Sequence, residues 1–233
     1  MNLALERALL WRFMRAPASL RGLERPDAGT AVRLCAAVTV LLWVVYAVVV
    51  PITGLVAEFF DAEHFADTHP LPARQELVLA LIWAPVAEEL VFRLWMRWPR
   101  LLPLCMGGFV LFAALTASSS AASFDAIGFA ALFGAVGTWV WLRSRPLGSG
   151  YDQWVDRNFN ALVWGSIALF AGVHLSNWQV HEVSPVLLLL VLPQLAAGVM
   201  ISFVCLRAGF LAAVGLHFAN NLSALFVQNL FGP

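Results

Sequence analysis

Glu88 and Glu89 stand side by side in an apolar run, Trp83-Ala-Pro-Val-Ala-Glu-Glu-Leu-Val-Phe-Arg93. A charged side chain at the centre of a bilayer costs several kcal/mol, about 2.5–3.5 on insertion scales. Two carboxylates and a guanidinium within so short a stretch of helix therefore point to a use beyond packing. Glu89 and Arg93 are spaced i, i+4 with the Glu first, the favoured order for a helical ion pair. Pairing relieves the burial cost of both. Glu88 is turned about 100° away around the helix and lacks that partner. A carboxylate taken out of water is a stronger base, suited to accept a proton near neutral pH. A buried ion-pair network that merely joins helices would account for Glu89 and Arg93 but not for Glu88.

Two more polar groups interrupt later apolar segments. His174 closes the run Phe170-Ala-Gly-Val-His174 and shares a helix face with Phe170; Ser176 and Asn177 follow. His217 and Asn221 are i, i+4 in His217-Phe-Ala-Asn220-Asn221, so both can face one site, with Asn220 on a neighbouring face. Taken singly, each is explained by interhelical hydrogen bonding, worth about 1 kcal/mol per contact. Together they make a hydrolytic set. Glu88 and His174 would polarise a water, and His217 and Asn221 would donate to the oxyanion of a tetrahedral intermediate. No Ser or Cys nucleophile is required.

The elements that must position these groups are membrane helices. The 233 residues are 61% hydrophobic and 12% charged, against about 25% charged in a soluble domain. Net charge is zero and there is no Lys, which gives no footing for nucleic acid. Cys35, Cys105 and Cys205 lie far apart in apolar segments, with neither CxxC nor metal-ligand spacing, and read as packing residues. Residues 1–31 form an N-terminal segment in which Arg7, Arg12, Arg15 and Arg21 alternate with Leu9, Leu10, Trp11, Phe13 and Met14. It is no secretory signal and reads as an amphipathic helix at the membrane interface, ended by Ala16-Pro17 and Arg25-Pro26.

Residues 32–233 read as a single all-α transmembrane domain. A span needs about 20 apolar residues, which places seven at about Val32–Val56, Leu77–Met96, Leu101–Ala117, Ile127–Leu142, Asn160–Ser176, Val186–Leu206 and Phe210–Leu230. With seven spans, thirteen of the fourteen Arg fall on one side and only Arg74 on the other, with Glu58, Asp61, Glu63, Asp67 and Glu76. The positive-inside rule then predicts a cytoplasmic N-terminus and an external C-terminus.

In order, EELVFR, FAGVH and HFANN fit the patterns EExxxR, FxxxH and HxxxN. In this the chain resembles the CPBP family, the CAAX proteases and bacteriocin-processing enzymes also called the Abi family, to which the Ras-converting CAAX prenyl protease belongs. The resemblance covers about residues 77–231. It implies a glutamate-dependent intramembrane endopeptidase, with Glu88 activating water, His174 as its partner, and His217 and Asn221 forming the oxyanion hole. Glu89 and Arg93 match supporting positions. Zinc was earlier considered for this family, and Glu88, His174 and His217 include the residue types of a 2-His-1-carboxylate set. HExxH is absent, and the expectation is a site with no metal and no cofactor.

Two features depart from the family pattern: an inserted hairpin, and a helix before the Glu pair that carries no second polar cluster to read substrate contacts from. The hairpin, roughly Leu101–Leu142, separates the Glu pair from His174 and preserves the orientation of later helices. Counting 1.5 Å per residue also sets His174 higher in the membrane than Glu88 and His217. Other intramembrane proteases fit poorly: Gly148-Ser149-Gly150 is a loop tripeptide too short for a rhomboid motif, and Asp125, Asp152 and Asp156 do not form an intramembrane aspartate pair. The acidic outer loop with His64 and His69 reads as solvated rather than metal-binding. Rivals from other classes are a non-proteolytic family member, such as an immunity factor or scaffold, and a proton-relay transporter. The expected partners are a peptide or membrane-protein substrate and the lipid bilayer. The all-Arg, Trp-rich composition suggests a bacterial inner membrane.

Overall fold

The computed structural model describes residues 1–64, 72–109, 149–180 and 184–231. They are predominantly helical, and the fold class is all-α as expected. Helix α1 spans Leu3–Arg15, with the Asn2 side chain accepting from the Ala4 and Leu5 amides at its N-cap. Arg12 and Arg15 fall in its last turn, where the helix dipole favours cations. The helix ends at Ala16, followed by a 3-10 turn at Pro17–Leu20. Leu9 and Phe13 are buried, and Phe13 packs on Trp164 and Phe203. Leu3, Trp11 and Met14 remain exposed. α1 thus carries one stripe against the bundle and a second apolar surface of the kind an interfacial helix needs.

Helix α2, Ala28–Phe59, begins four residues before the expected span and runs on past Pro51. Asp27 caps it by accepting from the Thr30 amide and hydroxyl, and these bonds hold the Asp27 carboxyl below its ordinary pKa. Three helical pieces then follow one another and are together called α3: Ala73–Val78, a π-helical stretch Leu79–Trp83, and Ala84–Phe92. Arg93 leaves helical geometry, and α4 is the single turn Leu94–Arg97. A 3-10 turn at Pro99–Leu101 leads into a helix described over 102–109. The expected fourth span and most of the hairpin 101–142 lie outside the described residues.

Helix α5 is Ser149–Val173, passing into a 3-10 turn at His174–Asn177. It starts eleven residues before the expected span at Asn160, because its first turns are amphipathic rather than apolar. Val155 and Phe159 are buried there, while Asp152 and Asp156 pair with Arg100 and Arg21. A 3-10 stretch Pro185–Val191 precedes α6, Leu192–Ala208, and α7 is Phe210–Phe231. Between α6 and α7 stands Gly209 with φ +110°, a backbone setting that favours glycine. Among the described residues, three helical stretches are long and apolar enough to cross a membrane: Ala28–Phe59, Gly150–Asn177 and Pro185–Ala208. Phe210–Phe226 is a shorter apolar helix.

α6 is the most buried of these helices and packs against α2, α5 and α7. The Arg-rich segments meet at one end of the bundle. There Arg207 donates to both oxygens of buried Glu6 and to the Glu24 carbonyl, Arg97 donates to the Leu206 carbonyl, and Tyr151 donates to that of Pro99. At the other end a two-residue antiparallel pairing joins Glu63–His64 to Trp178–Gln179.

Candidate active site

The site is built where α3, α5 and α7 meet. Glu89 and Arg93 are fully buried, and Arg93 Nη1 donates to Glu89 Oε1 at 2.9 Å, the i, i+4 pair that the spacing predicts. The same oxygen lies 2.9 Å from His217 Nδ1. An ionised carboxylate only accepts, so Nδ1 carries the proton and donates. His217 Nε2 is thereby turned towards Glu88, 3.8 Å from its Oε2.

His174 arrives from α5 held in the same manner. Its Nδ1 lies 2.7 Å from the Phe170 carbonyl oxygen, which can only accept. Nδ1 therefore donates, and Nε2 faces Glu88 Oε2 at 3.9 Å. Both imidazoles are thus fixed at Nδ1 and present Nε2 to one carboxylate oxygen. That oxygen is buried and has no hydrogen-bond partner among the described residues. Separations of 3.8–3.9 Å are too long for direct hydrogen bonds and within reach of a bridging water. The depth mismatch expected for His174 does not keep its ring from Glu88. The two Glu side chains differ as chemistry would require: Glu88 is 23% exposed and Glu89 0%.

Phe170 is the packing centre of the group. Its ring lies edge-on to His174, His217 and Phe92, at centroid distances of 4.9, 6.0 and 5.4 Å. The Arg93 guanidinium sits 3.9 Å from the ring centroid, a cation–π contact for a cation whose Nε and Nη2 have no hydrogen-bond partner among the described residues. Gly198 on α6 makes room for this: a Cβ there would stand 3.1 Å from Phe170 Cδ1 and 3.5 Å from Arg93 Nη2.

Asn221 lies one turn beyond His217 on α7, but its amide is partly committed elsewhere. Its Nδ2 donates to the Ala80 carbonyl at 2.8 Å. The reason lies in the π-helical stretch of α3. The Ala84 amide bonds the Leu79 carbonyl, skipping Ala80, and Pro85 at the next position has no N–H to give. The Ala80 carbonyl is left to a side chain, and Asn221 supplies it. One Asn221 N–H remains uncommitted among the described residues. Asn220, whose role the sequence leaves open, donates to Asn221 Oδ1 at 3.4 Å and accepts from the Tyr46 hydroxyl at 2.9 Å.

The sequence points to Glu88, His174, His217 and Asn221 at one site; the structure brings the first three together with Glu89 and Arg93, while Asn221 donates to the Ala80 carbonyl. The His217–Glu89 bond, the π-helical carbonyl, Gly198 and Tyr46 were missed; only Pro85 inside an apolar run signalled any of them. Among the described residues, no group of three or more His, Cys, Asp and Glu is placed to hold a metal ion. His64 packs edge-on to Trp178, and His69 lies outside the described residues. All three cysteines are free thiols, buried or half-buried. No family model, curated protein or solved structure matches the chain.

Proposed function

We propose that the protein is an intramembrane endopeptidase that hydrolyses a peptide bond with a water activated by Glu88 and His174. One observation carries this reading: two imidazole Nε2 atoms converge on one buried carboxylate oxygen that has no hydrogen-bond partner among the described residues. The arrangement suits a water held about 2.8 Å from both Glu88 and His174. Glu88 takes a proton from that water as its oxygen attacks the scissile carbonyl carbon. The carbonyl π pair moves onto oxygen. The free Asn221 N–H, together with His217, stabilises that oxyanion. Collapse of the tetrahedral intermediate breaks the C–N bond, and Glu88 returns its proton to the leaving amine. Glu89 and Arg93 orient His217 and keep the local charge balanced.

The membrane reading extends the three long apolar helices to seven spans. α2, α3, α5, α6 and α7 run alternately between the Arg-rich end and the end bearing Glu63 and Trp178, and the hairpin 101–142 would add two more. By the positive-inside rule the Arg-rich end is cytoplasmic, in a bacterial inner membrane. The substrate is a peptide or membrane-protein segment entering from the bilayer.

The test is a comparison of cells expressing wild type with cells expressing Glu88→Ala. Small peptides and membrane-protein termini are compared by mass spectrometry. Termini found only with wild type support the reading. Identical termini in both oppose it.

A further inference from the structure

We infer that Tyr46 is a positioning residue for this reaction: through Asn220 it fixes the Asn221 carboxamide so that one N–H stays free for the oxyanion. The inference rests on the peptidase reading above. The order of the hydrogen bonds follows from one group that can only accept. The Ala80 carbonyl takes an N–H, so Asn221 must present Nδ2 to it. Asn221 Oδ1 then faces Asn220, which must present its own Nδ2. That turns Asn220 Oδ1 towards Tyr46, whose hydroxyl must donate, at 2.9 Å. Every orientation in the chain Tyr46–Asn220–Asn221–Ala80 is fixed by this sequence of donors and acceptors.

Tyr46 is the only tyrosine of α2, in a helix otherwise almost wholly apolar around it. A phenol there without a partner would carry a desolvation cost; Asn220 removes it. The consequence reaches the site. Without the Tyr46 donor, the Asn220 amide is held in its present sense only by its 3.4 Å bond to Asn221 Oδ1, at the long end of the hydrogen-bond range. Once flipped, Asn220 sets its oxygen against Asn221 Oδ1; the two acceptors repel, and the Asn221 carboxamide must turn to offer an N–H. The donor that would meet the oxyanion is then consumed within the protein.

Purified Tyr46→Phe, Asn220→Leu, Asn221→Ala, the Tyr46→Phe/Asn221→Ala pair and Glu88→Gln are assayed in detergent with dye-labelled casein as the probe. Losing an oxyanion donor outright costs about 100- to 1,000-fold in kcat. Misorienting it should cost about 10-fold. The expected result is that Tyr46→Phe and Asn220→Leu lower kcat with KM unchanged, and that Tyr46→Phe adds nothing in the Asn221→Ala background. A merely structural hydrogen bond would lower the unfolding temperature without this kcat-against-KM split. If Glu88→Gln is inactive while Tyr46→Phe and Asn220→Leu both match wild type, the inference is overturned and the peptidase reading stands. If Glu88→Gln cleaves as fast as wild type, both fall.

Discussion

His217 Nδ1 and Glu89 Oε1 lie 2.9 Å apart, across 128 residues of sequence. This bond gives Glu89 two tasks. It neutralises Arg93 within α3, and it fixes the face that His217 shows to Glu88. The adjacent carboxylates are therefore not a redundant pair. Glu89 is sealed between a guanidinium and an imidazole, while Glu88 keeps an exposed edge and the oxygen that both Nε2 atoms approach.

Removing one partner of a buried charged pair costs about 3–5 kcal/mol, because the other charge is left uncompensated. Arg93→Ala and Glu89→Gln should therefore both reduce folded yield and unfolding temperature in detergent. Size-exclusion profiles and thermal melts measure this. Wild-type yield and melting for Glu89→Gln would mean that Glu89 does not hold the site together.

Gly198 offers a test of packing. Gly→Ala within a helix gains about 1 kcal/mol from propensity, whereas overpacking a filled core costs about 1–3 kcal/mol. At Gly198 the added Cβ meets the Phe170 ring at 3.1 Å, so Gly198→Ala should destabilise the protein by about 1 kcal/mol and lower its activity through the displaced imidazoles. At Gly172 a Cβ meets nothing within 4 Å, and Gly172→Ala should be neutral or stabilising. Equal melting temperatures for the two variants would contradict the packing described around Phe170.

What could be read in the sequence was local. Glu89 and Arg93 are one helical turn apart, so their spacing alone foretold the ion pair. Paired spacing likewise put His217 and Asn221 on one helix, and the apolar runs located the described helices. Contacts across the bundle were not legible. Nothing near Tyr46 in α2 indicates that its hydroxyl will meet Asn220. The Ala80 carbonyl carries no side-chain signature, since its availability depends on the π-helical stretch and on Pro85 together. Helix ends are not legible either. Apolar content marks only the apolar part of a helix, while Asp27 caps α2 and paired aspartates extend α5 beyond that part.

Topology is open to a direct check. Reporter fusions after Arg145 and at Pro233 should signal opposite sides of the membrane, with Arg145 cytoplasmic. The same side for both would end the seven-span reading.

A site that works by carboxylate and imidazole alone should contain no stoichiometric metal. Elemental analysis of active, purified protein is expected to find well under one zinc per chain, and dialysis against a chelator should leave its rate unchanged. One retained zinc per chain, with activity lost on chelation, would replace this chemistry with a metal-dependent one.

The central claim is that Glu88 is the base of a peptide hydrolysis. Its most direct measurement is the rate at which new N-termini appear when purified wild type and Glu88→Gln, both monodisperse and with matched melting temperatures, are incubated with casein in detergent. Loss of the general base should slow the appearance of those termini by about 100- to 10,000-fold. A Glu88→Gln protein that produces the same termini at the wild-type rate would contradict the account.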